Sequence, residues 1–152
     1  MSNITEYTGI IALDTVLNAK IEKASVFNIS IRPAVAIYGE LYIDTLDLVL
    51  LIGNALDNAI EATEKIEDSL KKYIHLSIKL QENYLLIEVK NSVLEKVLIQ
   101  NQFITTTKSD DGLHGFGLEN MRVLTEKYHG TMLLECDDNF FQVRIVLENE
   151  RV

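Results

Sequence analysis

The sequence contains no tryptophan, one cysteine, one proline and no long apolar run. A lone cysteine, Cys136, excludes an internal disulfide, so packing and hydrogen bonds must hold the fold. It falls in an alternating apolar stretch and is expected as a small core residue, and a reducing cytosol fits. Pro33 is the only proline, and no repeat, low-complexity stretch or Pro/Ser-rich linker interrupts the chain. One domain over 1–152 is therefore expected. The longest apolar runs are about five residues, against roughly 18–20 for a membrane-spanning helix. No signal-peptide pattern opens the sequence, and a cytoplasmic setting is expected. Basic residues are also scarce: 14 Lys and Arg against 23 Asp and Glu give a net charge of −9. That balance argues against nucleic acid as a partner. It leaves nucleotides open, because a helix terminus can hold a phosphate inside an acidic protein.

What is present is an ordinary core-forming composition, 47% hydrophobic and 24% charged over 152 residues. Apolar residues recur at helical spacing from Ile10 to Ala24, so residues 1–26 form a lead-in ending in a helix. A short strand is predicted over Asn28–Pro33, with Ile29 and Ile31 on one side. A helix capped by Asp44 or Thr45 runs to about Ile66. Tyr73–Leu80 and Leu85–Val89 alternate as a strand pair around a turn at Gln81–Tyr84, with His75 on the solvated face. Residues 92–115 are polar and threonine-rich, as in a functional lid. Gly117–Tyr128 is helical, and Gly130 is expected to stop it. Thr131–Cys136 and Phe140–Leu147 close the chain around the turn residues Asp137, Asp138 and Asn139. Hairpins interleaved with helices predict an α/β two-layer sandwich: a mixed, mostly antiparallel sheet with helices on one face.

Two segments carry chemistry. In LDLVLLIGNALDNAIEA, from Leu46 to Ala62, apolar residues cover most of the helix, yet Asn54, Asp57, Asn58 and Glu61 share one face. Burying such groups unpartnered costs about 1–3 kcal/mol each, so something polar is expected opposite: a hydrated metal, a phosphate-bearing ligand or a water network. In HGFGLENM, from His114 to Met121, two glycines are predicted to open a helix, where the backbone can approach a ligand and free N–H groups meet the positive dipole end.

Together these segments resemble the GHKL superfamily of ATP-binding domains (the Bergerat fold), and most nearly the catalytic domain of sensor histidine kinases of the group that holds the peptide quorum-sensing receptors. YTGIIALDTVLNAKIEKA resembles the segment preceding the ATP domain in that group. GNALDNAIEA resembles the N box, VKNS the first glycine box, and TTTKSDDGLHGFGLENM the lid and second glycine box. The N box and the second glycine box stand in the family's order, about 55 residues apart.

The resemblance implies ATP and Mg²⁺ as ligands and gives the residues roles. Asn58 matches the asparagine that ligates Mg²⁺; a carboxamide oxygen is a hard neutral donor suited to that ion. Asn54 would support the phosphates and water, or bond a neighbouring backbone. Asp57 is open between the site and a structural salt bridge. Ala62, one turn beyond Asn58, lines the nucleotide. Asn91 stands where the family usually has an aspartate reading the adenine amino group. Lys108 would pair with the β- or γ-phosphate, and Thr106 and Thr107 would donate hydroxyl bonds. Gly115, Phe116, Gly117 and Leu118 would supply backbone amides, with His114 beside them, where a helix-capping role is equally open.

Two positions depart from the pattern. Glu61 stands where many histidine kinases carry Lys or Arg, and the glycines after the first-box aspartate are replaced by Ser92, Val93 and Leu94. Asn54 stands where hydrolysing members place a glutamate base, so the site is expected to hold ATP without hydrolysing it efficiently. The resemblance thus implies a protein histidine kinase catalytic domain that donates the γ-phosphoryl group to a histidine on a separate dimerisation domain, with a response regulator as an indirect partner. None of His75, His114 and His129 heads a long amphipathic helix as an acceptor should. The chain is therefore expected to be the cytosolic ATP-binding part of a longer membrane receptor, monomeric or weakly dimeric by itself. A degenerate nucleotide-binding module and an anti-sigma-type protein serine kinase are the alternatives.

Overall fold

The computed structural model describes residues 3–94, 98–100, 103–105 and 112–151, with only the backbone course for 98–100, 103–105 and 112–116. Five strands form one mixed sheet in the order β1-β2-β3-β7-β6. These are β1 (Ser30–Ala36), β2 (Tyr73–Gln81), β3 (Tyr84–Ser92), β6 (Thr131–Cys136) and β7 (Phe140–Glu148). β1 runs parallel to β2, and every other pairing in this sheet is antiparallel. Three helices, α1 (Ile11–Val26), α2 (Thr45–Glu64) and α3 (Gly112–Lys127), complete the second layer, with a short 3₁₀ turn at Ser69–Lys71.

Alternation sets the two faces of the sheet. Ile31, Ile74, Leu76, Ile78, Leu85, Ile87, Val89, Val143 and Ile145 are buried in one core with Leu13, Leu17, Leu51, Leu56, Ile60 and Met121 of the helices. The intervening residues, His75 among them, are half-buried or exposed. This is the expected two-layer sandwich with helices on one face.

The N-terminal stretch is tied to α1 by polar side chains. Buried Asp14 accepts from Thr8 N and Oγ1, each at 2.8 Å, and from Gly9 N at 3.1 Å. Asn18 brackets the backbone of Thr5, accepting from its N–H at 3.0 Å and donating to its carbonyl at 2.8 Å.

Several expectations need correction. β1 starts later and runs further than Asn28–Pro33, because Asn28 adopts φ 60° and closes α1. Pro33 sits inside the strand; β1 is an edge, paired only with β2, and an edge strand tolerates a residue that cannot donate to a ladder. α2 stops at Glu64 rather than near Ile66. Leu46 and Leu50, expected inside, are 64% and 46% exposed, because the outer face of α2 is covered by neither the sheet nor its neighbour helices.

Within the expected lid, β4 (Leu98–Gln100) and β5 (Phe103–Thr105) pair as an antiparallel hairpin. The lid's expected contacts, Thr106, Thr107 and Lys108, lie outside the described residues. α3 begins at Gly112 rather than Gly117. Interior glycines cost a helix about 1 kcal/mol each against alanine, too little to stop one whose later turns pack on the core.

The N-terminus of α2 and the C-terminus of α3 are joined by a polar knot. Lys127 Nζ lies 2.8 Å from Asp47 Oδ2, and the Tyr128 hydroxyl donates to the same oxygen while accepting from Asp44 N at 3.2 Å. The Lys127 hydrogen bond, then the Tyr128 one, hold the Asp47 carboxyl below the usual carboxylate range. A carboxylate depressed in the folded state stabilises it above the unfolded pKa, near pH 4, and loses that contribution as pH falls through the folded value. Asp47→Asn is expected to cost about 1 kcal/mol at pH 7. Urea titrations should show the difference from wild type shrinking as pH falls below the ordinary carboxylate range, near pH 4; a difference that stays constant through acid pH would contradict the assignment.

Candidate functional site

Asp44 caps α2 by accepting from Leu46 N at 2.9 Å and Asp47 N at 3.3 Å. From there Leu48, Leu51, Ile52, Ala55, Leu56, Ala59 and Ile60 bury one side of the helix. The polar stripe therefore faces outward, and Asn54, Asp57, Asn58 and Glu61 are half-buried rather than buried.

The stripe divides between two neighbours. Asp57 turns to α1, where Lys20 Nζ lies 2.7 Å and Lys23 Nζ 3.4 Å from its Oδ1. Asn58, about 100° further round the helix, turns to α3. A Cβ added to Gly117 would stand 3.3 Å from both Oδ1 and Nδ2 of Asn58. The N-box asparagine and the second-box glycine, far apart in sequence, are thus neighbours in space. Gly117 is half-buried and Leu118 buried beside them. Asn54 and Ala62 sit one turn before and one turn after Asn58, both half-buried.

The free amides of a helix are its first four. With α3 starting at Gly112, they belong to residues 112–115, so Gly115 and His114 lie in the donor turn. Phe116, Gly117 and Leu118, expected as donors with Gly115, follow on the next turn of α3. Gly117 matters here as a residue without a side chain, which leaves room beside the Asn58 carboxamide.

Asn91 is buried at the end of β3, between Ile74 and Phe141 of the flanking strands. Its Nδ2 donates to the Ser92 carbonyl at 3.0 Å. Thr63 Oγ1 donates to that carbonyl, also at 3.0 Å, and Ser92 Oγ accepts from Tyr73 N at 3.0 Å. Thr63 therefore fastens the end of α2 to the strand that carries Asn91. It lies five residues beyond Asn58, about 7.5 Å along the axis. Asn58 thus stands between one and two turns before the residue that ties α2 to the end of β3.

Sequence reasoning missed Thr63, Lys20 and Lys23. The lysines did leave a signal, three residues apart and hence on one face of α1. Nothing local said that this face meets Asp57.

Among the described residues no group of three or more His, Cys, Asp or Glu is placed to hold a metal. A cation here would rest on carboxamide oxygen and on oxygens of its ligand. The site fits that demand: Asn58 offers a hard neutral donor, beside a gap that a Cβ at position 117 would fill.

The family model described as "GHKL domain" matches residues 43–148, from the entry to α2 to the end of β7. A probable C4-dicarboxylate sensor kinase of Halalkalibacterium halodurans is 29% identical over 104 residues, covering 64% of this chain and 19% of that protein. The chain thus spans about a fifth of that relative's length. Among solved structures, the nucleotide-free catalytic domain of the histidine kinase ThkA superposes with a TM-score of 0.71 at 19% identity over 97% of both chains. Histidine kinase AdeS of Acinetobacter baumannii gives 0.67 at 12% identity, covering 93% of this chain and 64% of its own. Full-length ShkA in complex with AMPPNP gives 0.70 at 15% identity, covering 99% and 34%. With the family match running across α2, α3 and four of the five main strands, the chain belongs to the GHKL domain family, and it shares the fold of the histidine kinase catalytic domain on which it superposes.

Proposed function

We propose that this chain binds Mg²⁺–ATP in the cleft between α2 and α3 and donates the γ-phosphoryl group to a histidine on a dimerisation domain, with a response regulator downstream. The observation that carries this is the Asn58 carboxamide set against Gly117. Asn58 offers the metal-facing oxygen and Asn54 supports the phosphate end. The donor turn at residues 112–115 faces the anion, with Thr106, Thr107 and Lys108 as further phosphate contacts. With Nδ2 of Asn91 committed to the Ser92 carbonyl, its Oδ1 is the atom that accepts from the adenine amino group. Ala62 packs beside the nucleotide. Bound Mg²⁺ supplies neutralisation of phosphate charge. The protein's own part is positioning, which suits phosphoryl transfer. Asn54 is no general base, which favours holding ATP for transfer over hydrolysing it.

The bound complex of ShkA with AMPPNP, on the same fold, supports the choice of nucleotide. Within the family, the VKNS box and the segment YTGIIALDTVLNAKIEKA favour the group of peptide-sensing receptors. The sensor-kinase relative makes a small dicarboxylate stimulus the competing reading.

The test is thermal unfolding with Mg²⁺–AMPPNP, followed by phosphate transfer from labelled ATP to a supplied dimerisation domain. Ligand at 100 times its Kd is expected to add about 2.7 kcal/mol of stability. A shift with transfer supports the reading. A shift without transfer leaves a nucleotide-binding module, and neither overturns it.

A further inference from the structure

The outward stripe of α2 poses a problem of charge. Asp57 and Glu61 stand one turn apart on it, next to Asn54 and Asn58, where a triphosphate would bring several further negative charges. The protein as a whole is at −9. Against this, two lysines of α1 converge on a single oxygen of Asp57, at 2.7 and 3.4 Å.

α1 and α2 run parallel. Val16 lies 3.8 Å from where a Cβ on Gly53 would stand, and Lys20 meets Asp57 at the same sequence offset one turn later. Lys23, a further turn on, stands level with Ile60 and Glu61.

Holding α2 in place is not what this cluster contributes most. Nine buried residues already fix that helix, and an ion pair whose carboxylate is 40% exposed adds little to them. Its consequence lies in the local potential. Two ammonium groups reverse the charge of Asp57 itself and, with Glu61 counted as well, bring this part of the stripe from −2 to balance, and Asn58 is the next residue along. That is well inside the screening length of about 8–10 Å at physiological salt.

We propose that Lys20 and Lys23 are electrostatic binding residues of the nucleotide site, reversing the charge of Asp57 so that a triphosphate can approach the stripe. This rests on the reading that the site takes Mg²⁺–ATP. The lysines act on the phosphates through Asp57 and through the field, without contact.

Calorimetric titration with Mg²⁺–AMPPNP at 0.05 M and 0.5 M salt tests it on four proteins. These are the wild type, the Lys20→Gln/Lys23→Gln double variant, Asp57→Asn, and the triple variant. The double variant is expected to bind about five- to tenfold more weakly at low salt, the gap closing to about twofold at high salt. Asp57→Asn should bind as tightly as wild type or tighter, and the triple variant should recover to within about twofold of it. Thermal midpoints without nucleotide should stay together across the four. A double variant indistinguishable from wild type at low salt would overturn the proposal. So would a loss that is equal at both salts, or one that Asp57→Asn reproduces instead of relieving, since each is the mark of a merely structural tie. Wild type that binds no nucleotide would instead refute the reading of the site itself, and this proposal with it.

Discussion

Asn58→Ala is expected to weaken Mg²⁺–nucleotide binding at least about 100-fold, equivalent to about 2.7 kcal/mol, while leaving the fold standing. The two halves of that expectation come from different observations. The carboxamide is half-buried, and among the described residues its side chain makes none of the hydrogen bonds that hold α2 to its neighbours. Alanine is the best helix former, so removing the amide should change stability by less than about 1 kcal/mol. The affinity, however, depends on a hard oxygen at this one position beside Gly117, and the adjacent carboxylate of Asp57 is held by Lys20 and Lys23 on the α1 side. Calorimetry with Mg²⁺–AMPPNP, paired with urea unfolding, checks both halves. A folded variant with wild-type affinity would remove Asn58 from the site, and with it the proposed seat of the metal.

How far the sequence disclosed this arrangement depends on how local each cause was. The strand pair β2–β3 was legible because Ile74, Leu76, Ile78, Leu85, Ile87 and Val89 alternate with period two around a short turn. α2 was legible from its cap and its apolar side, and the adjacency of Asn58 and Gly117 was implied by the family resemblance of the two motifs that carry them. What was misjudged depends on partners distant in the chain. The stripe was taken as one buried polar face, whereas Asp57 is claimed by α1 and only Asn58 turns to α3. Leu46 and Leu50 look like core residues until the sheet shows which side of α2 it covers. The strand predicted over Asn28–Pro33 runs on past its proline to Ala36, which an edge strand allows, and edge position is a property of topology rather than of sequence. Thr63 carried no local signal at all, since its role exists only once Ser92 is beside it.

Gly130→Ala is expected to destabilise the protein by about 3 kcal/mol, for a reason opposite to the one its place after a helix implies. A glycine past a helix end usually supplies the left-handed residue of the cap. Here that residue is His129, at φ 53°. The cap is otherwise complete, with His129 N donating to Glu126 O at 3.0 Å and Gly130 N to Thr125 O at 2.9 Å. Gly130 is needed for closeness instead. A Cβ there would stand 2.2 Å from the carbonyl oxygen of Val146 and 3.1 Å from Leu147 Cδ2 and Thr125 Cγ2. The Val146 carbonyl cannot retreat, because Val146 is paired to Leu86 on one side and Thr131 on the other, and Glu148 N is bonded to Tyr128 O at 3.1 Å. One methyl group must therefore push α3 away from β7 or break the ladder. The companion substitution reverses the sign. His129→Gly relieves a left-handed non-glycine, a conformation that costs roughly 1–2 kcal/mol, so it should be neutral or stabilising by about 1 kcal/mol. Urea unfolding of the two variants separates the causes. If Gly130→Ala costs under about 1 kcal/mol while His129→Gly costs more, the cap rather than the close approach is what position 130 serves.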